Sequence, residues 1–143
     1  MNIFLDTSSL FKLYQNEVGT IELKLFLETK TIEKIFLSNI TRVEFNSAIY
    51  KKFRKKEIYK NDVSEILNEF NIHVLKNYYT MIPINDELIL EAKFLLGKYG
   101  EKGLRALDAI QFASAVKVKS EVSKFFTHDN LLQIFFKEEF KEI

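Results

Sequence analysis

Asn2-Ile3-Phe4-Leu5-Asp6-Thr7-Ser8-Ser9-Leu10 is an apolar run that stops at a carboxylate and passes at once into helix-starting residues. Asn2 to Leu5 reads as a short buried strand. Asp6, Thr7, Ser8 and Ser9 carry side-chain oxygens that suit a helix N-cap, and Leu10 to Gln15 reads as the helix, ending near Gly19. A strand feeding directly into a helix is the repeating unit of a parallel, helix-flanked sheet. In such sheets ligands bind outside the carboxyl ends of the strands. Asp6 therefore stands where the chemistry of such a fold is placed.

The same order recurs along the chain. Ile35 to Leu37 reads as a strand, and Thr41 to about Lys56 as a helix with Phe45, Ile49 and Phe53 at four-residue spacing. Tyr79 to Ile84 reads as a strand, with Pro83 marking an edge or a strand end. Asn85 caps a helix over Asp86 to Lys98 that stops at Gly100. Lys124 to His128 reads as a strand, followed by Asp129, a short helix from Asn130 and a final strand over Phe140 to Ile143. Between these, Thr20 caps a helix with Ile21, Leu23, Leu25, Phe26 and Leu27 on its apolar side. Asp62 caps another that buries Val63, Ile66, Leu67, Phe70 and Val74, and Leu104 to about Lys117 is the most apolar helix.

The 143 residues are enough for one domain with a real core, and no repeat, low-complexity segment or linker divides them. With 47% hydrophobic and 29% charged residues the chain reads as globular, its core made aromatic by 14 Phe. Cys is absent, which excludes disulfides and thiolate chemistry. Charges break every apolar run, and the first residues have no basic region, so neither a signal peptide nor a membrane span is expected and the cytoplasm is. A net charge of +1 leaves a nucleic-acid partner open, because distribution decides there.

Four acids, Asp6, Glu44, Asp108 and Asp129, lie at junctions between apolar runs and helix starts. Each also has a structural explanation. Asp6 and Asp129 can cap helices, and Thr41 with Glu44 makes a capping box. Asp108, flanked by Ala106, Leu107, Ala109 and Ile110, is either a first-turn acid favoured by the helix dipole or a charge that needs a partner. If the strands are neighbours in one sheet, the four meet at one edge of it, and a cluster of that kind calls for a divalent metal. Tyr50-Lys51-Lys52-Phe53-Arg54-Lys55-Lys56 is a basic run on the helix that Glu44 opens, readable as a solvated face or as a hold for a phosphate backbone. Arg105 can pair with Asp108 or meet a phosphate. His73 and His128 read as structural, and no P-loop or Ser-His-Asp arrangement is legible.

Four blocks carry a resemblance that spans nearly the whole chain. Leu5-Asp6-Thr7-Ser8-Ser9-Leu10-Phe11-Lys12-Leu13-Tyr14, continued by Glu17-Val18-Gly19-Thr20, resembles the opening motif of PIN-domain nucleases of the VapC toxin class. Thr41-Arg42-Val43-Glu44-Phe45-Asn46-Ser47-Ala48 is similar to their second motif, and Leu104 to Ala115, containing Asp108, to their third. Phe126-Thr127-His128-Asp129-Asn130-Leu131-Leu132 resembles the fourth. Gln111 stands where many relatives carry His, and Asn130 where a charged residue is more usual.

The resemblance implies a three-layer α/β/α fold over residues 1–143, with a central, mostly parallel sheet of four to five strands. It implies a metal-dependent endoribonuclease that cuts single-stranded or loop RNA, as the toxin of a toxin–antitoxin pair. Two carboxylates about 5 Å apart at an effective dielectric near 20 repel by roughly 3 kcal/mol, so four in one pocket need cations. Carboxylate oxygens suit Mg²⁺, or Mn²⁺ in its place. Asp6 and Asp108 are then the direct ligands, with Glu44 and Asp129 direct or through water, and Thr7, Ser8 and Thr127 supporting them. Arg42, Lys51, Lys52, Arg54 and Arg105 are the candidate RNA contacts. The implied partners are RNA, a small antitoxin whose segment fills the acidic pocket, and a second copy in a homodimer. Two alternatives keep the fold: a metal-indifferent RNA-binding module using Lys51 to Lys56, and a free-standing RNA-processing nuclease. A phosphatase of the haloacid-dehalogenase type ranks below them, because Ser8 stands where its second Asp belongs.

Overall fold

The computed structural model describes residues 1–140. Its strands are Asn2–Leu5 (β1), Lys34–Ser38 (β2), Thr80–Ile82 (β3) and Lys124–Phe126 (β4), all parallel, in the order β3-β2-β1-β4. The helices are Thr7–Phe11 (α1), Thr20–Thr29 (α2), Thr41–Arg54 (α3), Lys60–Leu75 (α4), Asp86–Tyr99 (α5), Ala106–Lys117 (α6) and Asn130–Glu139 (α7). No described helix is long and apolar enough to cross a membrane.

Alternation along the strands sends side chains to opposite faces, and the core divides accordingly. Ile3, Leu5 and Leu37 pack with Leu10, Phe11, Leu23, Phe45, Ile49 and Phe70, from α1 to α4. Phe4, Phe36 and Ile82 pack on the other face with Leu95, Tyr99, Phe112 and Phe135, from α5 to α7. The result is three layers, α/β/α. The second core is built on rings: Phe112 stacks against Tyr99 with centroids 5.7 Å apart and against Phe135 at 6.4 Å. In the first core the Tyr14 hydroxyl meets His73 Nδ1 at 2.6 Å and the Tyr79 hydroxyl at 2.7 Å, which gives His73 its structural role.

Several boundaries differ from the sequence reading. The first helix is only Thr7–Phe11, because Asp6 itself caps it by accepting the Ser9 N–H. Thr20 is the first residue of α2, not its cap. Gly19 takes that place at φ +95°, while Thr20 Oγ1 donates to the Lys12 carbonyl and accepts the Glu17 N–H. Two of the apolar residues assigned to the buried side of α2, Ile21 and Leu25, are exposed. Asp62 sits inside α4, where its carboxylate accepts the N–H of Tyr59, the residue before the helix, at 2.8 Å. Strand β3 stops before Pro83 and forms a sheet edge, and Asn85 caps α5 by accepting the Leu88 N–H at 3.0 Å. Strand β4 ends at Phe126, so Thr127 and His128 belong to the turn. The strand read over Phe140 to Ile143 lies, past Phe140, outside the described residues.

Candidate active site

Strand order fixes where a site can form. From β1 the chain moves outward to β2 and β3, then returns to place β4 on the other side of β1. The helix after β1 packs on one face of the sheet and the helix after β4 on the other. A crevice therefore opens at the carboxyl ends of β1 and β4, and Asp6 and Asp129 lie in it. Asp6 caps α1 and Asp129 caps α7, accepting the Leu132 N–H at 2.8 Å. Glu44 and Asp108 sit in the first turns of α3 and α6. Every one of the four acids is thus at a helix N-terminus, where the aligned peptide dipoles favour negative charge.

Asp6 is buried and tightly held. Its Oδ1 accepts from Ser8 Oγ at 2.7 Å and from the Ser9 N–H at 2.9 Å, and Thr127 Oγ1 donates to its Oδ2. Burial raises its pKa above the usual carboxylate value, and these donors oppose the rise. Thr127 also accepts the Asp129 N–H at 3.1 Å. One hydroxyl therefore ties together the acids that follow β1 and β4.

Glu44 does not form the capping box that Thr41-x-x-Glu44 suggests. Thr41 is already helical, its predecessor Ile40 makes no side-chain cap, and the Glu44 carboxylate turns to other partners. Thr7 Oγ1 donates to Glu44 Oε1 at 2.9 Å, and Gln111 Nε2 donates to the same oxygen at 2.7 Å. Gln111 Nε2 also lies 2.8 Å from Thr7 Oγ1 and 2.9 Å from Thr41 Oγ1. The four side chains make a partly buried knot that fixes one oxygen of Glu44. Gln111 Oε1, buried in the same knot, has no partner among the described residues.

Asp108 has the opposite surroundings. It is half-buried, with no hydrogen bond or ion pair to its carboxylate among the described residues. Its pKa is raised first by desolvation, then by the charges of Asp129, Glu44 and Asp6, and Arg105 only partly offsets this. The acids thus feel one another across the crevice. Among the described residues, no three Asp, Glu or His side chains converge closely enough to form a cation cage.

The remaining candidates divide. Lys51 and Lys52 of α3 line a cavity beside Thr7 and Ser8, whereas Arg42, Arg54 and Arg105 are exposed and outside it. His128 lies 3.0 Å from the Val18 carbonyl through Nε2, and its own N–H donates to Ser8 Oγ. Lys12 and Lys55 line the same cavity as Lys51. Lys12 and the inward role of Thr41 went unread in the sequence, and Lys55 was read with its basic run but not singled out as an RNA contact. The signal for Lys55 was present in its basic run. For Lys12, a single Lys between Phe11 and Leu13, there was none.

The PIN domain family model matches residues 3–134. Ribonuclease VapC47 of Mycobacterium tuberculosis is 27% identical over 132 residues, covering 91% of this chain and 86% of that protein. The crystal structure of VapC20 from the same species, described as a sarcin-ricin loop cleaving toxin, superposes with a TM-score of 0.68. That match has 16% identity and covers 92% of this chain and 94% of the other, a likeness of fold.

Proposed function

Because the chain belongs to the PIN-domain family, we propose that it is a divalent-metal-dependent endoribonuclease of the VapC toxin type. The observation that carries this reading is Asp108: its carboxylate lacks a partner among the described residues and is opposed by Asp129, Glu44 and Asp6 in one crevice. A donor set made only of oxygens suits a hard cation such as Mg²⁺, or Mn²⁺ in its place. Asp6 and Asp108 would hold it directly, and Glu44 and Asp129 directly or through water. When bound, such an ion supplies a water of lowered pKa and neutralises charge on the scissile phosphate. The name of VapC47, a ribonuclease, supports RNA as the substrate, and the description of VapC20 as a sarcin-ricin loop cleaving toxin is consistent with it.

The chain's own groups orient the site. Ser8, Ser9 and Thr127 hold Asp6, while Thr7 and Gln111 hold Glu44, so neither carboxylate must reorganise when charge enters the crevice. Arg42, Arg54 and Arg105 are exposed, where they can receive the RNA backbone together with Lys51 and Lys52. A small antitoxin would block the crevice by lodging an Arg against the carboxylates. The exposed apolar side chains Leu90 and Phe94 of α5, and Ile21 and Leu25 of α2, offer surface for that partner or for a second copy in a homodimer.

The test compares cleavage of a mixed RNA pool in Mg²⁺ and in EDTA, then repeats it with Asp6→Asn and Asp108→Asn. Cleavage is expected only for the wild type with metal. Undiminished cleavage in EDTA, or by either variant, would falsify the assignment.

A further inference from the structure

Between α1 and the middle of α3 lies an open cavity of about 480 Å³ that shares Thr7 and Ser8 with the acidic crevice. Thr7 donates to Glu44 and Ser8 to Asp6, so this wall is the back of the acid cluster itself. The rest of the lining has the opposite sign. Lys12, Lys51, Lys52 and Lys55 stand there against Glu17 and Glu57, four cations against two carboxylates. Glu57 is 3.9 Å from Lys52, and Glu17 is 3.4 Å from Lys12. Lys51 and Lys55 have no acidic partner among the described residues.

Lys12 is the unusual member. Its side chain is only 7% exposed, and its one ion pair among the described residues is with a carboxylate that is itself 34% exposed. An ammonium carries three donors, and with Glu17 as its carboxylate partner among the described residues Lys12 keeps donors for a second anion entering the cavity it lines. It is also fixed in place. Thr20 Oγ1 donates to its carbonyl, and Gly19 comes close enough that a Cβ there would lie 3.5 Å from Lys12 Cδ and 2.4 Å from His128 Nε2. Only a glycine lets this left-handed turn close over His128, with Lys12 Cδ at ordinary contact distance beside it. A cation held rigidly loses little entropy on taking a ligand.

We propose that this cavity is a phosphate subsite of the RNA-cleaving site, taking a phosphodiester next to the scissile one. Lys12 is its fixed anion ligand, and Lys51 and Lys55 are its exposed ones. The inference rests on the ribonuclease reading and adds to it a division of labour. The acids accept a phosphate only through a cation, whereas the lysines accept one without it. RNA binding therefore persists when metal is removed.

The experiment titrates a fluorescein-labelled single-stranded RNA with the full-length protein in EDTA, by anisotropy, across a salt series. Lys12→Met and Lys55→Ala are each expected to weaken binding several-fold. Each should also reduce the slope of log K against log salt by about 0.7, one released counterion's worth on a single strand. Lys93→Ala, exposed on α5 in the opposite layer, should change neither. In Mg²⁺, Lys55→Ala should raise KM for cleavage and leave kcat nearly unchanged. Circular dichroism checks the fold of the buried Lys12→Met variant, and the exposed Lys55→Ala decides the matter if that fold is lost. Unchanged affinity and slope for Lys55→Ala overturn the subsite, whether or not the wild type cleaves RNA. Equal weakening by Lys93→Ala also overturns it, since the effect would then be a diffuse field. Lysine-dependent binding without any metal-dependent cleavage would reject the nuclease reading, and with it the place of this cavity beside a scissile phosphate, while leaving phosphate binding by the lysines in force.

Discussion

Asp108 sits in the first turn of α6 with its charge opposed by burial and by three neighbouring acids, and no hydrogen bond among the described residues relieves it. Replacing it by Asn removes the repulsion and keeps the shape. Asp108→Asn is therefore expected to raise Tm by a few degrees in metal-free buffer while abolishing cleavage, a trade common at strained sites. Adding Mg²⁺ should raise Tm of the wild type, by mass action on the folded state, and leave the variant nearly unmoved. Scanning fluorimetry with and without Mg²⁺ measures both. Gln111 acts one step back, through its bond to Glu44. Gln111→Leu should cost roughly 10- to 100-fold in metal affinity or activity, read as the Mn²⁺ concentration that half-restores cleavage. Gln111→His, which keeps an N–H donor there, should recover most of the loss. The bond between Gln111 and Glu44 was not legible locally. Thr41-x-x-Glu44 has the spacing of a capping box, and only the approach of Thr7 and Gln111 from other elements turns the carboxylate away from its own helix.

Helix α6 does two jobs with one amphipathic pattern. Asp108 and Gln111 lie toward the crevice, while Ala109, Phe112, Ala113 and Ala115 are buried. The small residues let the helix lie close to its neighbours, and Phe112 locks it between Tyr99 of α5 and Phe135 of α7. Phe112→Ala should cost about 3–5 kcal/mol, because its ring is fully buried among other rings that cannot collapse into the gap. A urea midpoint shift at unchanged m-value would confirm this, and a cost under about 1 kcal/mol would show that α6 is not held this way. At this scale most of the sequence reading stands. Strand β1, the cap of α5 and the body of α3 follow from an apolar run, Asn85 and four-residue spacing. The misplacements at Thr20 and at the end of β4 came where side-chain oxygens bond across a turn and not to their own helix, and α1 starts at Thr7 because Asp6 caps it.

Over the whole molecule the crevice makes stability depend on pH. Asp6 and Asp108 both have pKa values raised by burial, so the folded state holds protons that the unfolded chain has released. Their contribution is fully present below the ordinary carboxylate pKa of about 4 and is lost as pH rises through the raised values. The metal-free wild type should therefore lose stability between mildly acid and neutral pH more steeply than Asp108→Asn does. Urea titrations of both across that range test it, and parallel curves would sink the idea. The linear chain sufficed for the alternation that splits Ile3 and Leu5 from Phe4, the strand-to-helix order, and the candidate acids, because these are properties of neighbouring residues and of backbone period. What joins the acids into one crevice is tertiary packing: β4 beside β1 lets Thr127 bond Asp6 across 121 positions, and α6 packed on the sheet lets Gln111 bond Glu44 across 67. Periodicity carries no information on strand order, and the closure of Gly19 over Lys12 depends on a left-handed turn packed against His128. Those decisions belong to the tertiary structure, because side chains so far apart in the chain meet only when the layers close.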